Sequence, residues 1–269
     1  MVEEHFSSVG ILAGNGFYPV MLSSRINDAG ISHVIAGLKG QTVAELFPKA
    51  NSFLTVPIGA FKNTARFFLK QGINHIYFAG GIRREGVLRF TRPDTVSIGL
   101  AFTAIFGGDD CLLRNTAKAF SLLGIEVLDP SYFFKDCFVD IGHQAGPSLD
   151  ADMQRDIQIG QIAALELGKQ DRGQSVICRQ GLIVGRENRR GTDYLIRRHG
   201  CNGAVLVKTV KPKQDKRFDL PTIGPNTIIE AAKAGISALG IEAGGVLMLQ
   251  KDEVFTMCEE YNISLYGVA

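Results

Sequence analysis

Val9-Gly10-Ile11-Leu12-Ala13-Gly14-Asn15-Gly16-Phe17-Tyr18-Pro19 decides the fold class. Val9 to Ala13 is an apolar run too short for a helix and reads as a buried strand. It ends in the turn Gly14-Asn15-Gly16. From Pro19 the residues Met21, Leu22, Ile26 and Ala29 fall at helical spacing until Gly30 stops them, and proline suits a first helical turn. His33 to Leu38 is the next strand. Strand, glycine turn, helix and strand make a Rossmann-like opening to an α/β chain. Glycines let a backbone approach a phosphate, and a helix N-terminus favours anions. Gly14, Asn15 and Gly16 are therefore candidate substrate-binding residues; a tight turn without a ligand is the plainer alternative. NAD is not expected. Pro19 stands where the fingerprint has its third glycine, and the second strand ends in Leu38-Lys39 rather than in an acid for ribose.

The alternation continues outward. Ser52 to Val56 reads as a strand and Phe61 to Gln71 as an amphipathic helix. Lys62, Arg66 and Lys70 share one face of that helix. Such a face fits either an anionic membrane or plain solvent. His75 to Ala79 is the fourth strand, and it runs into Gly80-Gly81-Ile82-Arg83-Arg84. Ligands of open α/β sheets bind at the carboxyl ends of strands, so Gly80, Gly81 and Arg83 join the candidate set. Asp109 or Asp110 caps a helix over 111–123, and Ile125 to Leu128 closes the first domain, expected over 1–130. The second domain, 131–269, opens on the aromatic run Tyr132, Phe133, Phe134 and Phe138. A helix follows from Asp150 to Leu167, then a hairpin around Arg179-Gln180-Gly181. Glu187 and Asp193 flank a glycine that leads into a helix over 192–198. Mixed βα elements fill the remainder to Gly267.

Composition bounds the function. The 269 residues are 45% apolar and 21% charged, with a net charge of +2. No global field draws this chain to nucleic acid. The five cysteines are scattered and show no zinc-ligand spacing. No signal peptide and no run of membrane-spanning length is apparent, so a cytoplasmic protein is expected.

The most distinctive segment is KTVKPKQDKRFDLPTIGP, residues 208–225. It carries Lys208, Lys211, Lys213, Lys216 and Arg217, then the single acid Asp219 before Leu220-Pro221-Thr222. A basic loop that ends in a carboxylate can bind a phosphorylated ligand with a divalent metal beside it. A solvated surface loop is the alternative. If Glu187, Asp193 and Asp219 converge, they form a hard-oxygen site for Mg²⁺.

GILAGNGFYP (10–19), FAGGIRR (78–84), GDDCLLR (108–114), ENRRGTD (187–193), VLVKTVKPKQDKRFDLPTIGP (205–225) and IEAGGVLML (241–249) together resemble the LpxI-type UDP-2,3-diacylglucosamine pyrophosphatases, in order and over nearly the whole chain. The resemblance implies a Rossmann-like N-terminal domain, a distinct mixed α/β C-terminal domain and substrate held between them. It implies Mg²⁺-dependent hydrolysis of UDP-2,3-diacylglucosamine to UMP and 2,3-diacylglucosamine 1-phosphate in lipid A biosynthesis, with attack at the sugar-side phosphorus. The family's essential Asp falls on Asp219. The residue pattern itself, apart from the resemblance, makes Lys208 and Arg217 the expected catalytic cations, Lys211, Lys213 and Thr222 the expected substrate contacts, and Asp193 and Glu187 the expected further metal ligands. A homo-oligomer, a dimer, with peripheral contact to the inner membrane is expected. The competing readings are a nucleotide-sugar sensor without turnover and a nucleotide-sugar transferase releasing UDP.

Overall fold

A computed structural model of the chain describes residues 6–82, 113–212, 214–218 and 220–269. The chain forms two compact units, one of Met1–Phe133 with Asp215–Phe218, the other of Phe134–Gln214 with Asp219–Ala269.

The first unit is a five-stranded parallel sheet in the order β3-β2-β1-β4-β5. Its strands are β1 (Ser8–Ala13), β2 (Ser32–Leu38), β3 (Ser52–Val56), β4 (His75–Ala79) and β5 (Glu126–Leu128). Residues alternate between the two faces of a strand. On one face, α2 (Phe61–Lys70) and the helical run 113–122 bury Ala65, Phe68, Ala117 and Phe120 against Val34, Ile76 and Phe78. Gly10 admits this packing, because a Cβ there would sit 2.5 Å from the Phe68 ring. α1 (Tyr18–Asp28) packs on β1, β2 and β4, with Leu22 and Ile26 fully buried. The segment 215–218 joins this unit through Phe218, whose ring lies 5.8 Å from that of Phe78.

The second unit is a six-stranded mixed sheet in the order β6-β13-β11-β9-β7-β8. The strands are β6 (Gly142–Ala145), β7 (Ser175–Arg179), β8 (Leu182–Arg186), β9 (Ala204–Lys208), β11 (Ile236–Glu242) and β13 (Ser264–Val268). β9, β11 and β13 run parallel; β6, β7 and β8 are antiparallel to their neighbours. The long helix α3 (Ala151–Lys169) covers one face with Ile157, Ala163, Ala164 and Leu167. Its Asp150 cap accepts the Met153 amide at 2.7 Å. The other face is covered by α4 (Thr192–His199), α5 (Pro225–Lys233) and α6 (Lys251–Glu260), which contribute Leu195, Ile196, Ile228, Ala231, Val254 and Cys258. Along β9, Val205 and Val207 face α3, while Ala204 and Leu206 face the other three helices. Lys208, the last residue of β9, continues the second series.

Two elements differ from the sequence reading. Thr222–Ile223 forms β10, which pairs in parallel with β12 (Leu247–Met248), inside a segment read as loop. β6 follows the aromatic run, where no strand is expected from the sequence, and exists by pairing with β13. Both are made by distant partners, which local pattern does not carry. α5 begins at Pro225, because proline fits the first helical turn.

His33 is 1% exposed, and its Nε2 lies 2.7 Å from the Ser23 hydroxyl. Burial holds its pKa below the ordinary 6.5. The unfolded chain therefore takes up the proton first, so stability is full above pH 6.5 and falls as pH drops below it. Denaturant midpoints measured at about pH 7.5 and about pH 5.5 should show this loss in the wild type, and His33→Gln should reduce it. An equal acid loss in both proteins would place the sensitivity elsewhere.

Candidate functional site

Each unit presents a site at the carboxyl ends of its parallel strands. In the first unit the sheet order reverses between β1 and β4. This is the topological switch point at which open α/β sheets bind ligands. The two glycine turns meet there. The Asn15 amide donates to the Gly81 carbonyl at 2.8 Å, and the Gly81 amide donates to the Asn15 carbonyl at 3.0 Å. Gly14 donates to the Ala79 carbonyl at 2.8 Å. Gly80 has φ of +83°, and a Cβ on it would lie 2.5 Å from the Asn15 carbonyl oxygen. Only glycine fits that close approach. Gly16 faces open space at φ +104°. Gly14, Asn15, Gly16, Gly80 and Gly81 are thus brought together, as their positions after β1 and β4 predict. Arg83 lies outside the described residues.

In the second unit a cleft of about 380 Å³ opens at the end of β9. Asp193, Lys208 and Thr222 all line it, with Arg190, Gly191, Thr192, Gly224 and Asn226. α4 and α5 both start on its wall, at Gly191 and Gly224. Their first amide groups lack helical partners and carry partial positive charge. Lys208 is only 7% exposed. Its Nζ donates to the Thr222 carbonyl at 2.8 Å and to Thr192 Oγ1 at 3.3 Å. The direction of the Thr192 bonds follows from its chemistry. A hydroxyl has one proton, an ammonium can only donate and an ionised carboxylate can only accept. Thr192 therefore donates to Glu187 Oε1 at 2.8 Å and turns its lone pairs toward Lys208. Ser175, in register with Lys208 across β7 and β9, lies 3.1 Å from the same hydroxyl. Burying an ammonium demands such partners. Glu187 supplies the compensating charge one hydroxyl away.

Glu187, expected as a metal ligand, holds protein partners with both carboxylate oxygens. It is 8% exposed, and its second oxygen accepts the Gln174 amide at 2.7 Å. Both oxygens are engaged in holding the end of β8 against β7 and α4. Asp193 does not join it: its Oδ2 accepts from the Asn226 side chain at 3.2 Å. Among the described residues no group of three or more His, Cys, Asp or Glu side chains is placed to hold a metal. Asp219 and Lys213 lie outside the described residues. The cleft thus offers one described carboxylate, Asp193. That suits Mg²⁺, which commonly takes one or two protein carboxylates and completes its shell with phosphate and water oxygens.

Lys211 and Arg217 are paired with carboxylates. Lys211 Nζ lies 2.9 Å from Asp171 Oδ1. Arg217 grips Asp215 through two bonds, Nε to Oδ1 at 2.9 Å and Nη2 to Oδ2 at 2.7 Å, and lies over the Phe218 ring. The guanidinium holds the Asp215 carboxyl below the usual range, and the carboxylate raises the Arg217 pKa in return. Thr192, Arg190 and Ser175 were missed in the sequence. A threonine after a glycine at a helix start was legible only as a helix signal.

The arrangement fits a phosphorylated ligand, and known proteins place it further. Residues 8–137 match the model described as the LpxI N-terminal domain, and residues 140–266 match the LpxI C-terminal domain. The chain is similar to the UDP-2,3-diacylglucosamine pyrophosphatase LpxI of Caulobacter vibrioides, with 29% identity over 276 residues and 97% of each chain covered. Among solved structures, an L-amino acid ligase from Bacillus licheniformis overlaps at a TM-score of 0.30 and 10% identity, covering 70% of this chain and 40% of that one, too little to argue from. The two domain models together span nearly all of the sequence: the chain belongs to the LpxI family.

Proposed function

We propose that this chain hydrolyses the pyrophosphate of UDP-2,3-diacylglucosamine to UMP and 2,3-diacylglucosamine 1-phosphate, a step of lipid A biosynthesis. The observation that carries the proposal is the buried Lys208 ammonium set between two helix N-termini, in a chain of this family. The pyrophosphate is the substrate's most charged part. Fixed cations and amide dipoles stabilise charge that grows on its oxygens as the bridging bond breaks. Lys208 is held in place before substrate arrives, so little reorganisation is needed at the moment of reaction. Arg190 adds a second cation at the rim, stacked 4.7 Å from the Tyr194 ring centroid. Asp193 and Asp219 are the residues assigned to Mg²⁺, which when bound would neutralise phosphate charge and lower the pKa of a water. The Gly14–Gly16 and Gly80–Gly81 turns remain the nucleotide-binding candidates. Lys211 and Arg217 would reach a phosphate only by leaving their carboxylate partners, so their part is secondary. The same reading has the protein in the cytoplasm as a homodimer that visits the inner membrane, where a diacylated substrate resides.

Purified protein given UDP-2,3-diacylglucosamine and Mg²⁺ should release UMP, and EDTA should stop it. Tight binding without UMP would instead support a sensor. Asp219→Ala should abolish turnover while leaving the circular dichroism spectrum unchanged; near-normal turnover would remove Asp219 from the mechanism. Lys208→Met should lower kcat/KM by about 10²–10³-fold, the usual effect of deleting one fixed donor to a developing oxyanion. A folded variant within about threefold of wild type would exclude the ammonium from that role.

A further inference from the structure

The run IEAGGVLML (241–249) has no part in the proposed chemistry, although Leu249 reaches the cleft wall. It holds the basic segment at both ends. At one end the carboxylate of Glu242, the last residue of β11, accepts the Val210 amide at 2.9 Å. Val210 is the second residue past β9 and packs against the core. Its N–H has left the strand ladder, so a side-chain oxygen supplies the partner that it needs. At the other end β10 pairs with β12. The Leu247 amide donates to the Pro221 carbonyl and the Leu249 amide to the Ile223 carbonyl, both at 2.9 Å. Carbonyls alternate in direction along an extended strand. With 221 and 223 turned toward β12, the Thr222 carbonyl points the other way, where it accepts from Lys208 Nζ at 2.8 Å. The turn between the two anchors is itself tied down: Gly244 donates to the Val139 carbonyl at 2.9 Å, and Val139 donates to the Val246 carbonyl at 3.2 Å. It is also tight. A Cβ on Gly245 would lie 2.5 Å from Val210 Cγ2 and 2.8 Å from Glu242 Oε1.

We infer that residues 242–249 are a clamp that sets the direction of the Lys208 ammonium in the cleft, and that Glu242 is its positioning residue. Glu242 fixes where the chain leaves β9, two residues past Lys208. β12 fixes the carbonyl that the ammonium must meet. Together they constrain Lys208 from its own backbone and from its acceptor. A full charge on Glu242 strengthens the bond to Val210 but is not required for it, because a neutral amide oxygen accepts the same N–H. This role presupposes that the Lys208 cleft holds phosphate, so phosphate binding is measured apart from turnover.

The test compares full-length wild type with Glu242→Ala, Glu242→Gln and Gly245→Ala. Two quantities are read: the affinity for inorganic pyrophosphate with Mg²⁺, by calorimetry, and UMP release from UDP-2,3-diacylglucosamine. Glu242→Ala should lose roughly 10- to 100-fold in kcat/KM and about tenfold in pyrophosphate affinity. Glu242→Gln should stay within about threefold of wild type on both. Gly245→Ala keeps the carboxylate but crowds it and Val210, and should lose in the same direction. In a Lys208→Met background Glu242→Ala should cost no more than about twofold further, since no ammonium is left to misplace. Thermal melts check folding; if Glu242→Ala does not fold, Gly245→Ala takes its place in the same comparisons. A folded Glu242→Ala with wild-type affinity and turnover overturns the clamp. So does a loss fully additive with that of Lys208→Met, or a wild type that does not bind pyrophosphate. A wild type that binds pyrophosphate but releases no UMP refutes the substrate and not the clamp, which a loss of affinity in Glu242→Ala would then support.

Discussion

Everything in the C-terminal cleft depends on holding one buried ammonium in a fixed direction. Lys208 ends a buried parallel strand, where a hydrophobic residue would be the ordinary choice. Its presence requires acceptors supplied from across the unit: the Thr222 carbonyl, the Thr192 hydroxyl and, behind that hydroxyl, the Glu187 carboxylate. Removing any one leaves a buried polar group without its partner, which costs more than the bond itself contributes. The constraint therefore fixes the end of β8, the start of α4 and β10 together. The starts of α4 and α5 on the same wall then add their amide dipoles to the field of the cation.

Much of the fold is legible in the sequence. β1 and β4 announce themselves as short apolar runs ending in glycine. The structure returns β2 at Ser32–Leu38 and β3 at Ser52–Val56 almost as read. Glycine at the ends of β1 and β4 points to the switch point, because only a missing Cβ lets the two turns lace at Asn15 and Gly81. Lys208, Asp193 and Thr222 are legible as a basic and acidic set around one motif.

What was not legible is who holds whom. Glu187 and Asp193 stand six positions apart around a glycine, which invites a shared metal. The structure instead turns Glu187 toward Gln174 and Thr192, and leaves Asp193 with Asn226. Sequence spacing cannot distinguish an acid that ligates from one that braces, because the difference is set by strands brought into register from elsewhere. Ser175 shows the same thing: it matters only because β7 pairs with β9. Lys211 and Arg217 read as phosphate ligands by charge, yet each is paired with a carboxylate, Asp171 and Asp215.

In the proposed reaction water replaces UMP on the sugar-side phosphorus, as the family resemblance implies, with the transferred phosphate held in the Lys208 cleft. Hydrolysis of UDP-2,3-diacylglucosamine in ¹⁸O-water, with both products analysed by mass spectrometry, tests that most directly. Unlabelled UMP and 2,3-diacylglucosamine 1-phosphate carrying one ¹⁸O are expected. Label in UMP would contradict the site of attack, and UDP as the released nucleotide would contradict pyrophosphate hydrolysis altogether.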